Sequence, residues 1–374
     1  MKFSVSSSAL LHALQSTSKV IASKNTLPIL DSFLFYLEGE KLTITASDVE
    51  IRLVSSIDVV MPDGMGLFAI EAKRLLDPLK ELPEQPLTFD IDDDNMTVNV
   101  YYANGKFNIP GQKGDAYPQQ KPLKESAFSL TIESQILLNG VSRVSFASAE
   151  DELRPVMNGL CFDIQPDSLT FAASDGHKLA RLRNFSIHTG ARALFILPKK
   201  PVSLLKALLS KSTEKVVVSF DENNAYFKTP AFEMVCRLIE GRYPNYEAVI
   251  PTDNPYVAII DRVSFMAAMK RVSVFSSQSS GLAKIELIEN EMIVSAQDID
   301  FSTSGEEKMV CQYSEEPLSI GFKASFLVDM LANISSDNVM LQLGDATRAG
   351  IITPVGNEEN EDILMLLMPM MLNQ

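Results

Sequence analysis

Two residue types that carry much of metal and redox chemistry are scarce in this sequence. There are three histidines, His12, His177 and His188, and three cysteines, Cys161, Cys236 and Cys311. Each cysteine lies inside an apolar, strand-like run and none belongs to a CxxC pair. Buried free thiols in a reducing compartment are therefore expected, and neither a transition-metal site nor any other metal site is. No apolar run reaches the ~18 residues that a membrane-spanning helix needs. The N-terminal MKFSVSSSALL lacks the long apolar core of a secretion signal, so the expected compartment is the cytoplasm, with no membrane partner. Also missing are GxxxxGKS/T, HExxH, GxSxG and GxGxxG, which removes the usual phosphate-cradling, zinc-peptidase, serine-hydrolase and dinucleotide-binding readings. Lys and Arg (33) are outnumbered by Asp and Glu (48), for a net charge of −15. That balance argues against adhesion to nucleic acid over the whole surface but leaves room for a local basic lining.

What is present is a folded chain, 46% apolar and 22% charged, and its 374 residues exceed one ordinary core. It repeats itself three times. LTITASDVEIRL (42–53) shares a phrase with LTFAASDGHKLARL (169–182), and MIVSAQDIDFST (292–303) is a weaker third copy. The shared Asp48, Asp175 and Asp298 are 127 and 123 positions apart, close to one third of the chain. EAKRLLDPLKEL (71–82), LPKKPVSLLKALL (197–209) and GFKASFLVDMLANI (321–334) keep the same step, with Lys73, Lys199 and Lys323 in equivalent places. Each repeat opens with a helical pattern, 7–21, 134–147 and 262–275, near whose ends stand Lys19, Arg143 and Arg271.

Within a repeat the pattern reads helix, strands, helix, further strands, which describes an α+β fold with helices on one face of an antiparallel sheet. Proline and polar residues break the pattern near 122–128 and 249–258, giving domains 1–124, 125–252 and 253–374. Basic residues repeated on helices of an acidic chain point to a cationic lining. It would hold a phosphate backbone without reading bases.

The stretch AASDGHKLARL (172–182) invites a catalytic reading, with His177 as base, Asp175 as its orienter and Ser174 as nucleophile of a hydrolase. Against it, the aspartate recurs in every repeat and the histidine in one, so a structural turn, or a binding surface built on that turn, stands beside it. The acidic runs DIDDD (90–94) and NEENED (357–362) read as solvated hairpin tips. A protein-binding scaffold that encloses no nucleic acid is the other alternative.

In order and spacing, NTLPIL (25–30), ASDVEIRL (46–53), LRPVMNGL (153–160), SDGHKLA (174–180), EGRYPNY (240–246), GFKASFLVDML (321–331) and LMPM (367–370) resemble the bacterial sliding-clamp family, the beta subunits of DNA polymerase III. The resemblance runs over essentially the whole chain. It implies three tandem clamp domains, with antiparallel sheets outside and two helices per domain inside, closed by a head-to-tail homodimer into a ring around duplex DNA. It implies no catalysis and no cofactor. The implied partners, besides DNA and a second copy, are the replicative polymerase alpha subunit, the clamp loader, other polymerases and repair proteins, all docking through linear motifs.

By the same resemblance Lys24 and Lys73 contact DNA, as does the loop carrying Pro155 and Val156, and the repeat adds Lys199, Lys323, Lys19, Arg143 and Arg271. A hydrophobic peptide groove is implied at Met157, Ser174, Gly176, His177, Lys178, Leu179, Pro244, Val249, Leu366, Met368, Pro369, Met370 and Met371. Ala248 and Met371 stand where some relatives have arginine, and Asn373-Gln374 extends past the usual ending, so a somewhat different peptide is expected. Phe107 and Ile109 are expected to meet Val274 and Phe275 of the second copy.

Overall fold

The structure, a computed structural model, describes residues 1–120, 122–124 and 126–372. The Asn373-Gln374 tail and Glu125, at the first expected boundary, lie outside the described residues. Six α-helices occur among them: α1 (Ser7–Thr17), α2 (Ala72–Lys80), α3 (Ser134–Val144), α4 (Lys199–Leu209), α5 (Arg262–Ser273) and α6 (Ala324–Ala332). Each third of the chain therefore supplies two, in the places the repeats predict. Each buries one face at helical spacing, as with Leu10, Ala13 and Leu14 of α1 and Phe265, Ala268, Met269 and Val272 of α5. Two N-caps start them sharply: Ser6 accepts from the Ala9 N–H, and the Asp261 carboxylate from that of Ser264.

One expectation is corrected. The repeats do not open with a helix but with a short strand that runs directly into it: Lys2–Ser6, Phe128–Glu133 and Tyr256–Asp261. The signal was present in the alternation, since Phe3 and Val5, or Ala258 and Ile260, point inward. The longer helical pattern that follows without a break masked it.

The strands pair antiparallel throughout. The chain divides into two compact units, Met1–Ser134 with Ser203–Leu238, and Gln135–Val202 with Ile239–Gln374. The first unit carries a 13-stranded sheet, in which Ile51–Asp58 pairs with Glu233–Arg237, Leu53 opposite Met234. The second unit carries an eight-stranded sheet and a separate four-stranded one. In the larger of these, Lys178–Asn184 lies between Ser168–Ser174 and Glu361–Leu367. No helix among the described residues is long and apolar enough to cross a membrane.

The shared aspartates do one job. The Oδ1 of Asp48 accepts from the N–H groups of Glu50 and Ile51, that of Asp175 from His177 and Lys178, and that of Asp298 from Asp300 and Phe301. Each is an aspartate folding the chain over its own carboxylate between two strands. In the second unit α3 presses so closely on the strand Ser168–Ser174 that a Cβ on Gly140 would stand 2.3 Å from the fully buried Phe171 ring. Gly140→Val should therefore cost about 1–3 kcal/mol by overpacking, seen as a lower urea midpoint at unchanged slope.

Candidate functional site

The turn at Ser174–Lys178 has no free catalytic group beside His177. One oxygen of Asp175 is taken by the backbone, and its Oδ2 lies 2.5 Å from Lys178 Nζ. The Ser174 hydroxyl donates to the Lys178 carbonyl at 2.8 Å and accepts from the Gly176 N–H. Neither the orienting carboxylate nor the nucleophile that a hydrolase needs is available to the imidazole, and the catalytic alternative fails on geometry. Lys178, expected on a groove surface, is instead buried. Its ammonium is held by Asp175 and stands 3.9 Å from the centre of the Phe326 ring.

What this turn does have is a neighbouring C-terminal segment. The Met368 N–H donates to the His177 carbonyl, and the Met370 N–H to the Gly321 carbonyl, each at 2.8 Å. Beneath them Leu179 and Leu366 are directly opposite each other, in a core cluster with Cys161, Ala172, Tyr243 and Tyr246. The Tyr243 hydroxyl caps the turn from below by accepting from the Ser174 N–H at 3.0 Å. Burial pushes the Tyr243 and Tyr246 hydroxyls and the Cys161 thiol well above their ordinary pKa, so none is a nucleophile at neutral pH.

The expected groove residues therefore separate by depth. Met157, Lys178, Leu179 and Leu366 are buried and form the floor. Ser174, Pro369 and Met370 are half-buried, and Gly176, His177, Pro244, Val249, Met368 and Met371 are exposed, as is Ala248. Gly176 has φ +89°, and a Cβ there would meet Arg154 Nη1 at 2.8 Å. The positive φ is what favours glycine there, since the Arg154 tip could shift aside. Arg154 itself was missed in the sequence. It reaches the turn by donating to the Asp175 carbonyl, while its Nε is 2.7 Å from Asp151; the three-residue spacing from Asp151 was the available signal.

The basic residues also divide. Lys19, Lys24 and Lys73 are exposed, with no ion-pair partner among the described residues. Lys199 is half-buried and pairs with Glu150 at 3.1 Å. Lys323 is exposed, with its Nζ 4.8 Å from the Phe326 ring centre. Pro155 is exposed, whereas Val156 packs against the core cluster. Arg143 corrects one expectation and refines another. Its guanidinium is 2.5 Å from Glu358 and 3.4 Å from Glu361, and its side chain is only 16% exposed. It is not a free lining cation. NEENED does turn in solvent over 357–360, between strands Gly350–Pro354 and Glu361–Leu367, but its acids are not all left to water: Glu358 and Glu361 face Arg143, and Asp362 is taken by the buried Arg181. Arg143 holds the Glu358 carboxyl below its ordinary pKa, whereas burial pushes that of Glu361 up. Arg271 stays exposed but is held through both donors by Glu307. DIDDD does form a turn, where Asp92 accepts from the Asp94 N–H.

Of the expected seam residues, Val274 is 78% exposed and Phe275 lies over Gly305. Phe107 is half-buried against Tyr102, with ring centres 4.8 Å apart. Ile109 is buried in its own unit, because it shares a face with the inward residues of its strand. Two strand edges nearby are open among the described residues: Thr303–Val310 pairs only with Glu291–Asp298, and residues 105–110 pair on one side only.

Three descriptions match the chain in order. They are the DNA polymerase III beta subunit N-terminal domain over residues 1–121, its central domain over 131–245 and its C-terminal domain over 247–371. The beta sliding clamp of Pseudomonas putida is 27% identical over 368 residues, which is 98% of this chain and 99% of that one. The crystal structure of DNA polymerase III subunit beta from Pseudomonas aeruginosa superposes with a TM-score of 0.94, at 25% identity over 100% of both chains. The beta subunit of Thermotoga maritima gives 0.90, again at 25% identity and full coverage of both.

The Asp175–Lys178 pair yields a stability prediction. Burial raises the Asp175 pKa, but the Lys178 ammonium and the two backbone N–H groups outweigh it and hold the carboxyl below its ordinary range. A depressed folded pKa contributes stability above the unfolded value, about 3.9, that is lost as pH falls through the folded one. Asp175→Asn keeps an acceptor for the turn but strands the buried Lys178 charge. Urea unfolding at neutral pH should show a loss of about 3 kcal/mol, with a shallower fall in stability below about pH 4 than the parent shows.

Proposed function

We infer the function from one premise: the chain belongs to the DNA polymerase III beta subunit family, the non-catalytic sliding clamps of DNA replication. Family membership implies ring formation, with DNA and polymerase as partners. The finer assignments are our reading. Three clamp domains, 1–124, 125–252 and 253–374, come from each of two copies joined head to tail, and the ring encloses duplex DNA in the cytoplasm. A heterologous contact that closes after two subunits is an allowed ring. The open edges at 105–110 and Thr303–Val310 support that closure, since an uncovered edge of this length invites a strand from another chain. Phe107, Val274 and Phe275 would flank the joint, with Ile109 supporting it from within.

Lys24, Lys73, Lys19 and Lys199 are the cations we assign to the duplex, with the loop of Pro155 and Val156 as a further contact. Arg271 enters only if it leaves Glu307, and we leave Arg143 out of the set because it is paired with Glu358 and Glu361. The surface of Gly176, His177, Pro244, Val249, Met368, Pro369, Met370 and Met371, over a floor of Met157, Leu179 and Leu366, would take linear motifs from polymerase, loader and repair proteins. Methionines suit such a site because they repack around varied side chains. One observation carries the reading: the matched domains coincide with a threefold repeat that places a lysine at the start of the second helix each time.

The decisive experiment loads the protein onto nicked circular DNA with its matching loader. The protein should stay bound at moderate salt and be lost when the circle is linearised, and its mass in solution should be about twice that of the chain. Equal retention on linear and circular DNA would sink the sliding reading. His177→Ala should weaken capture of a clamp-binding peptide while leaving retention on the circle intact.

A further inference from the structure

Sulfur reaches the surface of this chain in one chemical form. Cys161, Cys236 and Cys311 are buried, and burial pushes each thiol above its ordinary pKa. None offers the accessible thiolate through which cysteine is oxidised. A thioether has no such requirement: its sulfur reacts through a lone pair that carries no proton, so access selects the residue. Of the 16 methionines, Met61, Met65, Met368 and Met371 are exposed. The first two belong to a hairpin of the first unit, whose outgoing strand is Val60–Asp63. The other two stand three residues apart at the candidate site, 42% and 89% exposed, with the half-buried Met370 between them.

The backbone that carries this second pair is fixed. The Met368 N–H is held by the His177 carbonyl and the Met370 N–H by that of Gly321, and Pro369 between them has its φ locked. The side chains cannot be withdrawn without breaking those bonds. Beneath them lies the apolar cluster of Leu179 and Leu366. Oxidation would place a polar S=O group on that surface. Covered by an apolar side chain, the new oxygen loses water and needs a donor in exchange. The Met368 and Met370 N–H groups and the Lys178 ammonium are already taken. The thioether carries no such cost and repacks freely.

We propose that Met368 and Met371 are a modification site, where oxidation to the sulfoxide closes the docking surface and reduction reopens it. This rests on the docking-surface reading above. With hydrogen peroxide as oxidant, the sulfur lone pair attacks one peroxide oxygen, the O–O bond breaks and the sulfur keeps that oxygen. The thioether is oxidised and the peroxide is reduced to water. In the return step a dithiol-dependent reductase removes the oxygen as water, and the dithiol is oxidised to a disulfide.

The test treats the full chain with hydrogen peroxide and maps sulfoxide at each methionine by peptide mass. Binding of a short fluorescein-labelled peptide rich in Leu and Phe is read by anisotropy, each protein against its own untreated form. With Met368 and Met371 converted, the parent should bind about five- to tenfold more weakly. The two sulfoxide reductases, one for each epimer, should restore binding with dithiothreitol as the dithiol. The double variant Met368→Leu, Met371→Leu should lose nothing on treatment, whereas Met61→Leu, Met65→Leu should lose as much as the parent. Unchanged binding with both sulfoxides in place overturns the proposal, as does an equal loss in the Met368→Leu, Met371→Leu variant. So does a loss that persists once the sulfoxides are gone, or a Met368 and Met371 that stay reduced while Met61 and Met65 convert. An untreated parent that binds no peptide is a different result: it sinks the docking-surface reading itself, and the proposal with it.

Discussion

Edge pairing between strands is the constraint on which the rest of this molecule depends. A repeat built on a sheet ends in a row of unpaired N–H and C=O groups, and a chain of such repeats must cover them or leave them for another chain. Here repeat one gives Ile51–Asp58 to Glu233–Arg237 of repeat two, and repeat two gives Lys178–Asn184 to Glu361–Leu367 of repeat three. The second junction also creates the candidate site. The Asp175 turn leads directly into one of its strands, and Met368–Met370 leaves directly from the other. Two segments distant in sequence are thus set side by side by the ladder, with Leu179 and Leu366 beneath them. The candidate site is the upper end of a junction that the fold needs anyway.

The Asp turn shows how one copy of a repeated device acquires a further role. Asp48 and Asp298 fold their loops through backbone N–H groups, and Asp175 does the same. Only in the second copy does a lysine follow three residues later and bury its ammonium on the remaining oxygen. That pair stiffens the loop, leaves Gly176 and His177 facing outward, and removes Asp175 from any dialogue with the imidazole. An arrangement that looks catalytic in the sequence is rigid scaffolding in three dimensions.

Much of this was legible in the sequence, for physical reasons that also mark where legibility ends. The aspartate turns act within three residues, and helix faces repeat every three or four, so both leave local traces; so did the threefold period. Arg143 was read as free because its partners lie more than two hundred residues away, and no local pattern encodes a pairing at that range. The acidic run at 357–362 is a solvated turn as its composition suggests, but its pairings with Arg143 and Arg181 lie at the same long range. The burial of Lys178 and Ile109 left no trace in the sequence, because period-two alternation gives a face but not whether something covers it. Arg154 went unnoticed because its contact with the turn runs through a backbone carbonyl, which any residue has.

The cations of the repeats finally separate by where they stand on their helices. Arg143 and Arg271 occupy last turns, where a positive charge is favoured by the helix dipole, and both are discharged by glutamates. Their presence needs no ligand. Lys73, Lys199 and Lys323 stand at or beside the first residue of the second helix, where the dipole disfavours a cation by roughly 0.3–1 kcal/mol. A local stability argument would put an acid there, as Asp261 is before α5. The chain puts a lysine there three times over. It then treats each differently: one left open, one leaned on Glu150, one laid on Phe326. Placement against the local field in every repeat is what a helix shows when the charge answers to something outside it, and the differing surroundings of the three lysines are the reason they need not answer to the same thing.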